Sequence, residues 1–365
     1  MSAPRLDLGA RPILVFWETT RACALECRHC RASAVPEPLP GELSTQEGKD
    51  LLRSLTGFGR PYPVVVLTGG DVLMRADLLE LAAFARDCGL QVAVAPSVTP
   101  RLEPGLLSAL RDVGVKVASL SLDGASAATH EELRGIPGHF EKTVQALDLL
   151  GLEGFTVQVN TVVRPENVLE LPEIASIVAS AGASIWEVFF LVKVGRGETL
   201  HELTAGENED VCHFLYDASR YGFVVRTVEA PFFRRVVAWR NEGRSCETGL
   251  LYSILGDGLR FQLGEPTGKS RAQTKGTRDG KGIVFVAHDG DVYPAGFLPL
   301  SVGNVREESL VEIYRDSELL RRIRAAEFAG GCGTCDYAEV CGGSRARAYA
   351  ASGDPLGADP ACVYA

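Results

Sequence analysis

Hydrophobic and polar positions in the first half of the chain alternate between two rhythms. Short apolar runs suited to buried strands fall at Ile13–Glu18, Val64–Thr68, Gln91–Ala95, Lys116–Leu122, Thr156–Val163 and Trp186–Val192. Amphipathic stretches lie between them. Ser44 and Glu47 form a capping-box signature opening a helix through Leu55 that stops near Gly57. Leu78, Leu79, Ala82 and Ala85 recur at helical spacing before Gly89. Further helices are expected at Pro104–Val113, Phe140–Leu150 and Leu169–Ser180. Six strand–helix units in succession imply an α/β fold with a parallel sheet and right-handed crossovers. That is too few for a closed eight-unit barrel, so an open sheet or a partial (β/α)6 barrel is expected. In either, ligands collect at the carboxyl ends of the strands.

The rhythm breaks after about residue 200. Residues 208–222 carry helical spacing, and 240–280 reads as a polar, Gly-rich connector. Gly282–Ala287 and Val292–Phe297 read as a hairpin turning near Asp289-Gly290. A helix is expected at Leu310–Ala325, followed by a dense run of cysteines. A boundary near residue 240 would separate a barrel domain, 1–240, from a small cysteine-rich α+β domain, 241–365.

Composition narrows the function classes. The 365 residues are 46% hydrophobic and 23% charged, ordinary for a globular chain with a large core. A net charge of −10 argues against nucleic-acid binding, which needs clustered Lys and Arg. No apolar stretch approaches the roughly 18–20 residues of a membrane span. Met1 to Arg11 lacks the basic and hydrophobic regions of a signal peptide. A cytoplasmic, reducing location is expected. There, ten cysteines read as metal ligands or core thiols, not as a disulfide framework.

Cys23, Cys27 and Cys30 form a CxxxCxxC just after the first strand. Thiolates are the soft ligands that iron–sulfur clusters take. Three of them can each hold one iron of a cubane and leave the fourth open to a ligand. A structural zinc site is the alternative, although no fourth cysteine lies within fifty residues and only His29 is near. Gly69-Gly70-Asp71 ends the second strand; alone it would read as a turn.

Together these segments resemble the radical S-adenosylmethionine (SAM) superfamily. The resemblance implies that Cys23, Cys27 and Cys30 ligate a [4Fe–4S] cluster whose open iron chelates SAM. It implies that Gly69, Gly70 and Asp71 receive the SAM amino group. It places Ser121 and Arg134 at the SAM carboxylate, Ser97 and Thr99 near the ribose, and Val194–Gly197 near adenine. Asn160 on the fifth strand is a candidate for facing the cavity. A strand end with Asp123 as a helix cap is the plainer reading of the Ser121 segment.

Cys332, Cys335, Cys341 and Cys362 supply a full ligand set for a closed cluster or a zinc ion. CxxCx5C behind a hairpin and helix resembles the SPASM/twitch extension of radical SAM proteins, where such cysteines hold an auxiliary cluster. The text from Cys341 to Ala350 is similar to the haem-biosynthesis branch, which matures haem d1 and alternative haem, and more distantly to the mycofactocin maturase. Full SPASM domains carry more cysteines and two auxiliary clusters. Here Arg345 and Ala295 stand where relatives have cysteine, so one auxiliary [4Fe–4S] cluster is expected.

Other residues offer less. Cys246 lacks a neighbouring partner, and Cys88 and Cys212 fit helices as inert thiols. Gly264–Ser270 is one residue short of a phosphate loop and contains Pro266. Residues 274–281 read as a solvated polar loop, with a substrate entrance as the alternative. Glu229 follows a short seventh strand and is a candidate for the cavity. The resemblance implies one-electron reduction of SAM and hydrogen abstraction from the substrate by a 5′-deoxyadenosyl radical. The substrate would be a small molecule such as a tetrapyrrole side chain, or else a ribosomally made peptide. A flavodoxin or ferredoxin would donate electrons, with neither nucleic acid nor membrane as a partner. A non-catalytic iron–sulfur or zinc scaffold would need no SAM site, and Gly69–Asp71 beside CxxxCxxC counts against it.

Overall fold

The computed structural model describes residues 7–266, 268–274 and 276–364. Residues 1–6 of the amino-terminal stretch, Thr267 of the phosphate-loop-like segment and Lys275 of the polar loop lie outside the described residues.

Strand and helix alternate as the apolar runs require. The series is β1 (Leu14–Glu18), α1 (Thr45–Ser54), β2 (Val64–Thr68), α2 (Leu78–Asp87), β3 (Gln91–Val94) and α3 (Pro104–Asp112). It continues with β4 (Val117–Ser121), α4 (Ala127–Arg134), α5 (His139–Leu152), β5 (Thr156–Val163), α6 (Leu171–Ser180), β6 (Ile185–Phe190), α7 (Ala205–Ala218) and β7 (Val224–Val228). Each strand pairs parallel with the next, so the sheet order from β7 to β1 follows the chain. The result is a curled, parallel partial barrel. Capping boxes at Ser44/Glu47 and Thr204/Glu207 satisfy amide groups that open α1 and α7.

The remainder joins the other edge of the same sheet. After α8 (Phe233–Asn241) and α9 (Leu250–Leu263), β8 (Ile283–Val286) pairs parallel with β1 and turns back into β9 (Val292–Tyr293). Then come α10 (Leu310–Asp316), α11 (Glu318–Arg324), α12 (Gly330–Thr334) and α13 (Arg345–Ser352). One apolar core runs from Val15 and Trp17 through Trp186 to Tyr314 and Cys341.

Two elements differ from the sequence expectation. The stretch read as a polar connector contains α9, packed on α6 and α7 with Leu255 and Leu259 buried. Its glycines read as breakers, but Gly258 is where α9 meets α6: a Cβ there would lie 2.9 Å from Pro172 Cγ. The single helix expected at Leu310–Ala325 is two, because Ser317 takes an extended ψ of 125° between them. Gly264 follows α9 and no strand, which removes the phosphate-loop context. Among the described residues no helix is long and apolar enough to cross a membrane.

Candidate active site and metal centres

The loop after β1 carries Cys23, Cys27 and Cys30, and it is gripped on several sides. The Gly70 amide donates to Thr20 O at 2.8 Å and the Asp71 amide to Ala22 O at 2.7 Å. Backbone meets backbone so closely that a Cβ on Gly69 would lie 2.6 Å from Thr20 O, and one on Gly70 2.5 Å from Ala22 O. The Gly-Gly pair is therefore required by the cysteine loop itself. From beyond β6, the Arg196 amide donates to Cys30 O at 3.0 Å, and its side chain to Cys27 O at 2.9 Å and Ala34 O at 3.0 Å. Val194–Gly197 thus clamps this loop. The three cysteines share one small cluster with Leu25, Ala34 and Ile136.

The residues expected around SAM converge here, with distinct jobs. Asp71 is buried and fully occupied: Oδ1 accepts from the Leu73 and Ser97 amides at 3.1 and 3.2 Å, and Oδ2 from Thr99 Oγ1 at 2.9 Å. It ties the ends of β2 and β3 together, and burial pushes its carboxyl up. Ser97 Oγ donates to Gly70 O at 3.2 Å and lies 3.8 Å from Cys23 Sγ. Ser121 ends β4 on the same side, half-buried. Arg134 pairs with Asp123 and reaches Cys27 Sγ at 3.5 Å; among the described residues no bond joins it to Ser121. Despite burial, the Arg134 cation holds the Asp123 carboxyl down at about 2.

Sequence reasoning missed a histidine relay behind this site. The Asp123 amide donates to His130 Nδ1 at 3.1 Å, and His130 Nε2 meets His139 Nδ1 at 2.8 Å. His139 Nε2 donates to Val98 O at 3.2 Å, which assigns both tautomers. Burial, seconded by the Arg134 cation, pushes His130 down to about 3 and lowers His139. The relay links the loops after β3 and β4. Two histidines on different helices give no local signal of it.

The second group closes on itself. Cys332, Cys335, Cys341 and Cys362 line one cavity with Gly342, Gly343 and Tyr337. Amides point at the sulfurs: Tyr337 to Cys335 Sγ, Gly343 to Cys341 Sγ and Asp359 to Cys332 Sγ, each at 3.4 Å. Arg345 donates to Cys332 Sγ at 3.6 Å. Such donors tune a cluster's potential. Burial pushes the Cys341 thiol up to about 12, so a bound metal would have to displace its proton.

A buried polar network docks this group onto the barrel. Arg347 donates to Leu191 O at 3.0 Å and Glu229 O at 2.9 Å, and pairs with Asp359 at 3.3 Å. Asp279 accepts from the Arg345 and Ala346 amides that open α13. The Glu229 carboxylate accepts from Ser344, so it faces the cysteine-rich part. Burial and neighbouring Asp279 push it up to about 8. Cys246 lines a separate surface cavity with Trp239 and Tyr364, while Cys212 is buried in α7.

Among the described residues no three Cys, His, Asp or Glu side chains converge as tightly as a single metal ion requires. The fit to clusters rests on which cysteines share a space and what donates to their sulfurs. A set of three thiols on a strand-end loop and a separate set of four are the donor pattern of the class of proteins that bind iron–sulfur clusters.

Comparison with known proteins identifies the family. Residues 17–178 match the model of the radical SAM superfamily, and residues 278–336 match SPASM, an iron–sulfur cluster-binding domain. The chain is 38% identical over 370 residues to an AdoMet-dependent heme synthase of Oleidesulfovibrio alaskensis, covering 100% of this chain and 91% of that protein. A heme synthase of the same name from Methanosarcina barkeri is 36% identical, covering 97% of each. The chain belongs to the radical SAM superfamily and is an enzyme. A pre-heme d1 synthase (27%) and a mycofactocin maturase (30%) match at lower identity. The fold is shared with Streptococcus suis SuiB bound to S-adenosylmethionine, at TM-score 0.69 and 13% identity, covering 97% of this chain and 78% of that one.

Proposed function

We propose that this enzyme modifies a tetrapyrrole side chain by radical chemistry, with one auxiliary [4Fe–4S] cluster. The observation that carries the reading is the similarity, over essentially the whole chain, to AdoMet-dependent heme synthases. Cys23, Cys27 and Cys30 would hold the SAM-binding cluster, and Cys332, Cys335, Cys341 and Cys362 the auxiliary one. When bound, the reduced cluster and SAM supply a 5′-deoxyadenosyl radical that takes a hydrogen atom from a substrate C–H bond.

The chain's own residues prepare that step. Gly69 and Gly70 let the end of β2 lie against the cysteine loop. Asp71 holds Ser97 and Thr99 in place. Arg134 sets a fixed cation against Cys27, and Ser121 faces the same space. Phe297, reaching Phe189 of β6 at 6.2 Å, covers the concave face from the hairpin side and helps exclude water. The division into parts 1–240 and 241–365, a cytoplasmic location and a flavodoxin or ferredoxin as electron source belong to the same proposal.

The test is anaerobic turnover with SAM, dithionite and iron coproporphyrin III, followed by mass spectrometry. Formation of 5′-deoxyadenosine together with loss of the elements of formic acid from a side chain is expected. Turnover of no tetrapyrrole would overturn the reading. The mycofactocin maturase match favours a peptide substrate as the second reading, tested by supplying short peptides encoded beside the gene.

A further inference from the structure

The concave face of the sheet carries a polar row that the cysteine groups do not use. Strand side chains alternate faces. On β5 to β7 the helix-facing Val157, Val159, Trp186, Val188 and Val225 are buried in the core. Their alternates, Gln158 and Asn160 on β5, Glu187 on β6 and Arg226 on β7, face the other side, half-buried. Asn160, Glu187 and Arg226 stand at one register level, and Ser121 aligns with Asn160. The row runs from beside the cysteine loop to the β7 edge.

It is not satisfied within itself. Gln158 Nε2 donates to Asn160 Oδ1 at 2.8 Å and to Glu187 Oε2 at 3.0 Å. Arg226 commits only Nε, to Gln273 Oε1 at 2.5 Å. Among the described residues its two terminal nitrogens make no hydrogen bond or ion pair. A guanidinium with both ends free is a bidentate receptor for a carboxylate. Burial pushes the neighbouring Glu187 carboxyl up, while the Arg226 cation beside it and the Gln158 amide pull the other way. Two residues further along β6, about 6.6 Å at roughly 3.3 Å per residue, Phe189 faces the same side against Phe297. An aromatic wall and a guanidinium whose terminal nitrogens make no hydrogen bond among the described residues therefore stand one side-chain length apart.

We propose that Arg226, flanked by Glu187 and Asn160, binds a carboxylate of the substrate while Phe189 and Phe297 bound its apolar part. The substrate's tetrapyrrole identity rests on the preceding reading; the carboxylate subsite rests on the row.

The experiment is equilibrium titration of the reconstituted holoenzyme with two probe pairs. One is coproporphyrin III and its tetramethyl ester; the other is 3-phenylpropionate and its amide. Arg226→Gln should weaken both acids at least tenfold and leave ester and amide within twofold. Arg226→Lys should recover part of the loss. Unchanged iron content and an unchanged circular dichroism spectrum would show that the variants fold. Acids binding Arg226→Gln as tightly as wild type, or wild type failing to prefer either acid over its neutral partner, would overturn the subsite. A silent porphyrin pair with an intact, Arg226-dependent phenylpropionate pair would sink the tetrapyrrole reading and sustain the subsite.

Discussion

In the first group three cysteines sit on the single loop after β1, held from outside by the backbone just after β2, by Arg196 and by Arg134. In the second, four cysteines from α12, the turn after it and the segment around Cys362 surround a cavity, each of three sulfurs receiving an amide. The first group brings three thiols together with Leu25, Ala34 and Ile136. The second brings four thiols together, Cys332 and Cys341 of them buried, beside the Arg347 network. On the proposed ligation, the first arrangement would leave an iron free for chemistry, whereas the second would suit electron transfer or structural support.

The sharpest way to break this contrast is to remove one cysteine from each group. Cys27→Ala should abolish 5′-deoxyadenosine formation and leave the auxiliary iron in place. Cys341→Ala should do the reverse, keeping dithionite-driven SAM cleavage within a few-fold while product formation fails. Iron analysis and product assay of both variants check this. Equal loss of SAM cleavage in both would erase the distinction.

Acidity should also separate the regions. His130 titrates at about 3 when folded, against 6.5 unfolded, so the unfolded chain binds the extra proton between those values. The stability it contributes is complete above pH 6.5 and lost as pH falls toward 3. Glu229 is opposite: at about 8 folded against 4.5 unfolded, its contribution is complete below pH 4.5 and lost as pH rises toward 8. Each term is at most about 5 kcal/mol. Denaturant unfolding of the metal-free protein across pH should show the acid limb flattened in His130→Asn and the alkaline limb flattened in Glu229→Gln.

Smaller effects are expected from single methyl groups. Gly195 has φ +56°, and a Cβ would lie 2.4 Å from Arg31 O; Gly343 has φ +64°, with a Cβ 2.6 Å from that of Asp359. Gly195→Ala should destabilise the first loop by about 1–3 kcal/mol, and Gly343→Ala the second by a similar amount. Chelator-driven iron release should quicken at one cluster in each variant. Cys246→Ser, outside both groups, should change neither.

The sequence made the barrel legible because buried parallel strands and capped helices write strong local patterns, as at Val64–Thr68 and Ser44–Glu47. It also singled out all seven cysteines that the structure gathers into two groups. It hid α9, whose Gly258 serves packing on α6 instead of breaking the helix. It hid the pairing of β8 with β1, a long-range contact without local pattern. The roles of Asp71 and Arg134 were legible only as positions. Their partners, Ser97, Thr99, Asp123 and Cys27, come from other strands and loops.

The most direct test is electron paramagnetic resonance of the reduced Cys27→Ala and Cys341→Ala proteins before and after adding SAM. The account predicts that SAM changes the spectrum of the cluster retained in Cys341→Ala and leaves that of Cys27→Ala untouched. A SAM-induced change in Cys27→Ala, or none in Cys341→Ala, would contradict it.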